Sequence, residues 1–297
     1  MLDDVLGQDW LTPAIAFTVS VIGSFLGLAF THRARHTTGF GRWHWMILAA
    51  LALGGMAVWS MHFIAMMGFR IPGTAIRYDA LLTLAGGAAA IVITGYALAL
   101  SLYSRGILRP LLSGLLLGAG MIAMHHIGIA SMNVHGDLYL DPVYVAASCA
   151  VAIIPGSVAL WIAIRAETLK VNAGASVLMG IAITAMHYTG MAGVNHEPPE
   201  STRYGAPEGS TVSDLLLPMI VVLFVFLLIC SLFLLLGPEE ESTGYGRRPV
   251  HAAAVPPDDT IHPEDDGYSP RHSLVHHGAA RAPEGRRPSG DVWTRQR

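Results

Sequence analysis

Long runs of apolar residues, separated by short polar segments, fill most of the first 240 positions of the chain. A helix needs about 20 apolar residues to cross the hydrocarbon core of a bilayer. Seven stretches are long enough, and none has Asp, Glu or Lys in its interior: Thr12–Thr31, Trp43–Met67, Ala80–Tyr103, Arg109–Met132, Val143–Ile164, Val171–Val194 and Leu215–Leu236. Because backbone polar groups in lipid must be satisfied internally, the pattern predicts an all-α integral membrane protein with seven transmembrane helices.

The distribution of basic residues predicts the orientation of these spans. Seven lie in the loops after spans one, three and five, and eight lie beyond span seven. The opposite side has only Arg70, Arg77 and Arg203. The positive-inside rule therefore places the C-terminus in the cytoplasm and the N-terminus outside. The segment before span one has no basic residue, so span one is predicted to be a retained helix and not a signal peptide.

Composition agrees with a membrane protein, since 13% of the 297 residues are charged and soluble domains carry about 25%. The chain is predicted to divide into a membrane domain, 1–237, and a disordered polar cytoplasmic tail, 238–297, which is rich in Pro, Gly, His and charge. Cys149 and Cys230 lie inside spans without CxxC spacing, so they are interpreted as small buried hydrophobes. No phosphate loop, Ser/His/Asp set or nucleic-acid patch is apparent, so neither an enzyme nor a nucleic-acid partner is predicted.

A Met-His pair recurs in the even-numbered spans. The pairs Met61-His62, Met124-His125 and Met186-His187 follow one another at intervals of 63 and 62 residues. This period equals two spans with their loops, so the three copies run in the same direction. The sequence therefore predicts three two-helix repeats plus a final helix, with the three pairs at one depth near the outer face.

Histidine inside a membrane span is costly and usually faces the bundle interior. Residues four apart share a helix face, so thioether sulfurs are available next to these imidazoles. The predicted pairs are His62 with Met66, His187 with Met191, and His125 with Met121 or Met132. Imidazole and thioether together suit copper, especially Cu(I). The lack of carboxylates and paired thiolates at this depth argues against magnesium, calcium and structural zinc.

A purely structural interpretation is also open. A lone intramembrane histidine usually bonds to a neighbouring helix, and buried methionines usually fill gaps in a core. The preceding methionines, Met61, Met124 and Met186, lie about 100° around the helix from their histidines. They are therefore interpreted as packing residues or additional ligands. Gly128 and Gly190 are expected to allow close approach between helices.

These motifs resemble the MHYT family, a bacterial membrane sensor domain named for its tetrapeptide. Met186-His187-Tyr188-Thr189 matches that name letter for letter, and the other two copies resemble diverged forms. The resemblance covers roughly residues 10–237. It implies a copper site made of motif Met, His and possibly Tyr, and a role in sensing oxygen, carbon monoxide or nitric oxide.

Family members often fuse this unit to cytoplasmic diguanylate cyclase, phosphodiesterase or kinase domains. This chain departs from that pattern, because nothing catalytic is recognised after span seven, and a standalone form is expected. Phe63 and His126 replace the motif Tyr, and Ile129 replaces a later Met. A tyrosine ligand is therefore expected only from Tyr188, and His126 is kept as a possible ligand.

Four functions remain open at this point. The first is a metal-dependent sensor in a bacterial inner (plasma) membrane, which signals to a separate cytoplasmic or membrane partner. The second is a protein that stores, delivers or transports copper, for which Met56, Met121 and Met179 offer ligands deeper in the spans. The third is a scaffold with structural histidines. The fourth and weakest is haem binding, since imidazole and Met can be axial ligands.

Overall fold

The computed structural model describes residues 10–102, 108–166, 168–199 and 205–236. The acidic N-terminal segment and the predicted tail lie outside the described residues. Seven helices are long and apolar enough to cross a membrane, which confirms the predicted number. They are α1 (Leu11–His36), α2 (Phe40–Met66), α3 (Ala80–Leu102), α4 (Leu108–Ala130), α5 (Pro142–Arg165), α6 (Leu169–Ala192) and α7 (Val212–Leu236).

The predicted spans correspond to these helices, with differences of a few residues at the ends. The helix α1 continues past the predicted Thr31 to His36. Met132 and Val194 were predicted to be the last residues of spans four and six, and this was wrong, because each lies in a short strand. Apolar composition alone cannot separate the last helical turn from a strand that follows it.

Two short antiparallel ladders join the helices at one end of the bundle. The strand β1 (Arg77–Tyr78) pairs with β2 (Met132–Asn133), and β3 (Asp137–Leu140) pairs with β4 (Val194–Glu197). The ladders are repeated features, since the Asp79 N–H donates to the Ser131 carbonyl at 2.8 Å and the Asp141 N–H donates to the Gly193 carbonyl at 2.9 Å. The side chains of Asp79 and Asp141 also accept hydrogen bonds from the first turns of α3 and α5. The loops therefore share the repeat found in the spans.

The second helix is not uniformly α-helical. Its middle section, Leu51–Ser60, is a π-helix that ends directly before Met61 and His62. The Ser60 hydroxyl donates to the Gly55 carbonyl, five residues earlier, at 3.0 Å. Such segments are rare and often occur at functional sites. The wider turn changes which residues before it share a face with His62.

The helices differ greatly in how much of their surface the protein buries. Within the most apolar 18-residue window of each helix, 72% of α2 is buried but only 6% of α7. The apolar residues of α7 are therefore available to lipid, while α2 lies among its neighbours. The seventh helix is connected to the strand β1 by a backbone bridge between Tyr78 and Ser210, just before its first turn.

A candidate metal centre

Three histidines from α2, α4 and α6 meet inside the bundle. The Nδ1 atom of His62 lies 3.0 Å from Nδ1 of His187 and 3.5 Å from Nδ1 of His125. One ring nitrogen from each of the three lies within 4.8 Å of the others. All three side chains are buried, with at most 1% of their surface exposed. The three histidines that the sequence repeat singled out therefore form a cluster, and their ring nitrogens are close enough together to hold a metal ion.

The three histidines occupy equivalent positions near the ends of their helices. His62 lies four residues before the end of α2 at Met66, and His125 and His187 lie five residues before the ends of α4 and α6. At 1.5 Å rise per residue, this is about 6–8 Å from the helix end. The prediction that the three lie at one depth is confirmed. The assignment of that end to the outer face of the membrane remains a prediction.

Each histidine packs against the ring of the residue that follows it. The centroid distances are 5.3 Å for His62–Phe63, 5.5 Å for His125–His126 and 5.1 Å for His187–Tyr188, all edge to face. The motif tyrosine position therefore supplies an aromatic wall in all three repeats, although the residue type differs. Edge-to-face contacts of this kind restrict ring orientation.

The three imidazole rings also meet one another edge to face. Their interplanar angles are 82–89° and their centroids are 4.8–5.4 Å apart. His126, kept as a possible ligand, has a different environment, because its Nδ1 donates to the Ile122 carbonyl at 2.9 Å. It is not one of the converging nitrogens.

Two glycines provide the space that the imidazoles occupy. A Cβ at Gly128 would overlap Nε2 of His62, and a Cβ at Gly190 would overlap Nε2 of His125. The sequence predicted close contact between helices at these glycines, but what approaches them is an imidazole ring. The Nε2 atoms of His62 and His125 are buried without a hydrogen-bond partner among the described residues. In His62 and His125 the ring nitrogen that contacts the other imidazoles is therefore Nδ1.

The first repeat differs at this position. The residue of α2 that corresponds to Gly128 and Gly190 is Ala65, which lies with His187 around a narrow crevice. Pro13 of α1 lines the same crevice, as do two of the predicted ligands, Tyr188 and Met191. A narrow crevice therefore borders the histidine cluster on the side of His187.

The predicted sulfur ligands are all buried, but their ligation remains a prediction. Their exposed fractions are 0–6%: Met61, Met66, Met121, Met124, Met132, Met186 and Met191. The methyl group of Met121 lies next to Gly156 of α5, where an added Cβ would be 3.6 Å away. The hydroxyl of Tyr188 is buried without a hydrogen-bond partner among the described residues.

Tyr78 is a feature of this end of the bundle that the sequence analysis did not assign to the site. It is fully buried, and its ring centroid lies 6.0 Å from that of Phe63. Burial raises the pKa of the Tyr78 phenol, so the ring stays neutral at physiological pH. Its backbone makes two hydrogen bonds to Ser210, at 2.8 and 2.9 Å. The aromatic contact thus links the histidine cluster to the start of α7.

The donor set fits a metal of intermediate or soft character. Imidazole nitrogens bound at about 2.0–2.1 Å in a trigonal arrangement are about 3.5 Å apart. The Nδ1 separations of 3.0 and 3.5 Å need only small side-chain movements to match this. No carboxylate belongs to the cluster among the described residues, and hard ions such as Mg²⁺ and Ca²⁺ require oxygen ligands. Neutral imidazoles suit copper, zinc, iron and nickel.

Comparison with known proteins identifies the repeat. The MHYT profile, described as a bacterial signalling protein N-terminal repeat, matches residues 55–114, 118–175 and 180–237. In each match the histidine lies seven residues after the first matched position. The chain belongs to the MHYT family. It is therefore a multi-pass inner-membrane protein of the bacterial signalling class, in which a lipid bilayer surrounds the helices.

Several curated relatives share the MHYT region. The bifunctional diguanylate cyclase/cyclic di-GMP phosphodiesterase MucR of Pseudomonas aeruginosa is 35% identical over 60% of this chain and 27% of its own length. The cyclic di-GMP phosphodiesterase NbdA of the same species is 32% identical over 64% of this chain and 25% of its own length. The signalling protein YkoW of Bacillus subtilis is 30% identical over 60% and 23%, respectively.

The chain spans about a quarter of the length of these MHYT relatives. Their catalytic domains are not aligned with the matched region, so their enzymatic names do not describe the repeats themselves. No solved structure matches the chain.

Proposed function

We propose that this MHYT protein is a non-catalytic membrane sensor whose input site is a copper ion held by His62, His125 and His187. The observation that supports this most is the convergence of three buried Nδ1 atoms from three equivalent helices. Copper supplies reversible one-electron chemistry and an open coordination position when it is bound. The predicted stimulus is a diatomic gas (oxygen, carbon monoxide or nitric oxide) or the copper and redox state.

The protein residues determine how such a site behaves. Gly128 and Gly190 enclose the Nε2 edges, so that the rings present Nδ1 to a common centre. The aromatic residues after each histidine restrict ring rotation. The buried methionines supply thioether sulfur, which favours Cu(I) over harder ions. Met66 and Met191 are the first candidates for additional ligands, because each lies four residues after a histidine on the same helix.

The environment also suits a small uncharged stimulus. Pro13, Ala65 and His187 line a small crevice at the edge of the cluster. Its walls are mostly apolar, and carboxylates are absent from the cluster among the described residues. A diatomic gas partitions readily into such a region, whereas hydrated ions are disfavoured by desolvation. The signal is then passed to a cytoplasmic or membrane partner.

Elemental analysis of the full chain, purified in detergent and loaded with Cu(I), tests the metal assignment. We expect close to one copper per wild-type chain and none above background in the variant H62A/H125A/H187A. A matched control is H36A/H44A, which removes two histidines at the other end of the bundle and is expected to keep its copper. Equal copper in the triple variant and the wild type would refute the site.

The gas assignment needs a separate measurement. The reduced, copper-loaded protein is equilibrated with carbon monoxide, and the infrared spectrum is recorded in the C–O stretching region. A new band that the triple variant lacks supports gas sensing. A protein that binds copper but gives no band in this experiment would direct attention to copper or redox state as the stimulus.

A structural role for the histidines is the alternative with direct geometric support. The separation of 3.0 Å between Nδ1 of His62 and Nδ1 of His187 is that of a hydrogen bond. Two neutral imidazoles can satisfy each other without a metal. This scaffold function predicts that the purified protein binds neither copper nor haem, and that the triple variant loses thermal stability only.

Copper storage, delivery or transport is supported by the deeper methionines. Met56, Met121 and Met179 are each at most 3% exposed, and they lie further from the histidine end of the spans. Copper uptake into proteoliposomes containing the wild-type chain would favour this function over a pure sensor. The absence of uptake, together with one tightly held copper, would favour the sensor.

A further inference from the structure

A second cavity lies at the opposite end of the bundle from the histidines. It has a volume of about 290 Å³ and lies between the C-terminal part of α1 and the connection from α5 to α6. Phe25, Leu26 and Phe30 form an apolar wall, and Arg33 and Asn172 add polar groups. The combination of an apolar wall with a few convergent polar groups is typical of a ligand pocket.

Asn172 is a largely buried polar residue of this cavity. It is 8% exposed and lines the cavity. Its backbone N–H donates to the Thr168 carbonyl, and its carbonyl accepts from the Ser176 hydroxyl. A side-chain amide carries two N–H donors and a carbonyl acceptor. At the cavity wall it can therefore bond to a polar ligand that enters the cavity.

Arg33 and the beginning of α6 give the cavity its electrostatic character. The guanidinium of Arg33 lies 4.9 Å from the centroid of the Trp45 ring, which fixes its position at the cavity wall. Thr168 caps α6, its hydroxyl accepting from the Val171 N–H at 3.4 Å. The N-terminus of a 24-residue helix therefore also borders the cavity, and helix N-termini attract anions.

The charge of this end of the bundle supports an anionic ligand. Among the described residues, six basic side chains and no acidic one lie at or near the helix termini here: Arg33, Arg35, Arg42, Arg109, Arg165 and Lys170. Glu167, between Ala166 and Thr168 in the sequence, lies outside the described residues. The other end has six described acidic residues and two basic ones. The described charges are therefore positive at one end of the bundle and mostly negative at the other.

We propose that this cavity binds the phosphate headgroup of an anionic phospholipid. The phosphate lies between Arg33, the side-chain amide of Asn172 and the first turn of α6. The upper part of an acyl chain covers Phe25, Leu26 and Phe30. A lipid is favoured over a free phosphate ion because most of the wall is apolar and belongs to spanning helices. Basic pockets between transmembrane helices are suited to anionic headgroups.

The test is a lipid titration of the full chain monitored by native mass spectrometry. Phosphatidylglycerol is compared with phosphatidylcholine of the same acyl chains, and with soluble glycerol phosphate. We expect one phosphatidylglycerol to bind about tenfold or more tightly than phosphatidylcholine, because Arg33 and the helix terminus recognise net negative charge. Glycerol phosphate at the same concentration is expected not to compete.

Matched variants distinguish specific lipid binding in the cavity from nonspecific attraction of anionic lipid to basic residues. R33Q and N172A are expected to reduce phosphatidylglycerol binding to the level of phosphatidylcholine. R35Q removes a charge two residues away on an exposed position and is expected to bind like the wild type. Circular dichroism and thermal unfolding of each variant establish that it is folded, and N172A alone preserves every charge.

Three results would overturn the proposal. Equal affinity for the two lipids would show that the headgroup charge is not recognised. An equal loss in R35Q and R33Q would show surface attraction without a pocket. Strong competition by glycerol phosphate would assign the site to a soluble phosphate compound and not to a lipid.

Discussion

The two ends of the bundle differ in how their polar groups are arranged. At one end, His62, His125 and His187 come from equivalent positions of three repeats, and their ring nitrogens converge. At the other end, Arg33 and Asn172 come from α1 and α6 and line one cavity. The repeat thus places three identical side chains around one point, whereas the cavity at the other end is lined by side chains of different chemical type.

The comparison indicates two different kinds of recognition. Three neutral imidazoles and buried sulfurs provide lone pairs for a soft cation. A guanidinium, an amide and a helix terminus provide donors for an anion. The histidine cluster depends on the same residue occupying the same position in three repeats. The basic cavity depends only on neighbouring groups that suit an anion.

The orientation of the two ends is expected to give an all-or-none result. The variant A75C has its cysteine in the loop after α2, at the histidine end, and T38C has its cysteine in the loop after α1. In intact spheroplasts, a membrane-impermeant maleimide is expected to label A75C completely and T38C not at all, because the positive-inside rule places the basic end in the cytoplasm. The parent for both variants lacks Cys149 and Cys230. The reverse pattern would invert the topology.

The glycines next to the imidazoles are expected to give the next largest effect. In G128A and G190A the new methyl group overlaps the Nε2 edge of His62 or His125. Overpacking costs about 1–3 kcal/mol, so copper affinity is expected to fall about 10- to 100-fold in a competition titration with a Cu(I) chelator.

The control for these variants is G95A. A Cβ at Gly95 would lie 3.4 Å from the nearest atom, the Cβ of Ala50, which is an ordinary contact. This variant is expected to bind copper like the wild type. Similar losses in all three variants would mean that rigidity of the helices, and not the position of the rings, controls affinity.

Removal of the Tyr188 hydroxyl is expected to have the smallest effect. The Y188F side chain keeps the ring that packs against His187 and removes an oxygen that has no hydrogen-bond partner among the described residues. Loss of a buried unsatisfied group is close to neutral, so copper affinity is expected to change by less than about threefold. Tyr78 has the same kind of buried hydroxyl outside the cluster, and Y78F is the control. A large loss in Y188F alone would identify Tyr188 as a ligand.

Much of the fold follows from the sequence. The lack of charge in the seven spans and the excess of Arg in alternate loops are one-dimensional properties, and they predict helix number and topology without a structure. The repeat of His62, His125 and His187 predicts a common depth, since a period of two spans preserves direction. The helix number and the common depth of the histidines are confirmed, and the orientation remains a prediction. Each could be predicted because it depends only on spacing along the chain.

Other features depend on contacts between helices and could not be predicted in this way. The π-helical section before Met61 changes the helix phase, so faces counted at 3.6 residues per turn do not extend across it. The packing of His62 on Gly128 of another helix needs the three-dimensional arrangement. The same is true of Asn172, which in the sequence is only one polar residue near the start of span six.

X-ray absorption spectroscopy of the copper-loaded chain tests the central claim most directly, because it measures the ligands themselves. The proposed site predicts three nitrogen neighbours at about 2.0 Å with the multiple-scattering signature of imidazole, and any Met66 or Met191 ligand adds a sulfur shell at a longer distance. Imidazole scattering is expected to disappear in H62A/H125A/H187A. A copper signal with sulfur neighbours but without imidazole would contradict the account, and the three histidines would then be structural.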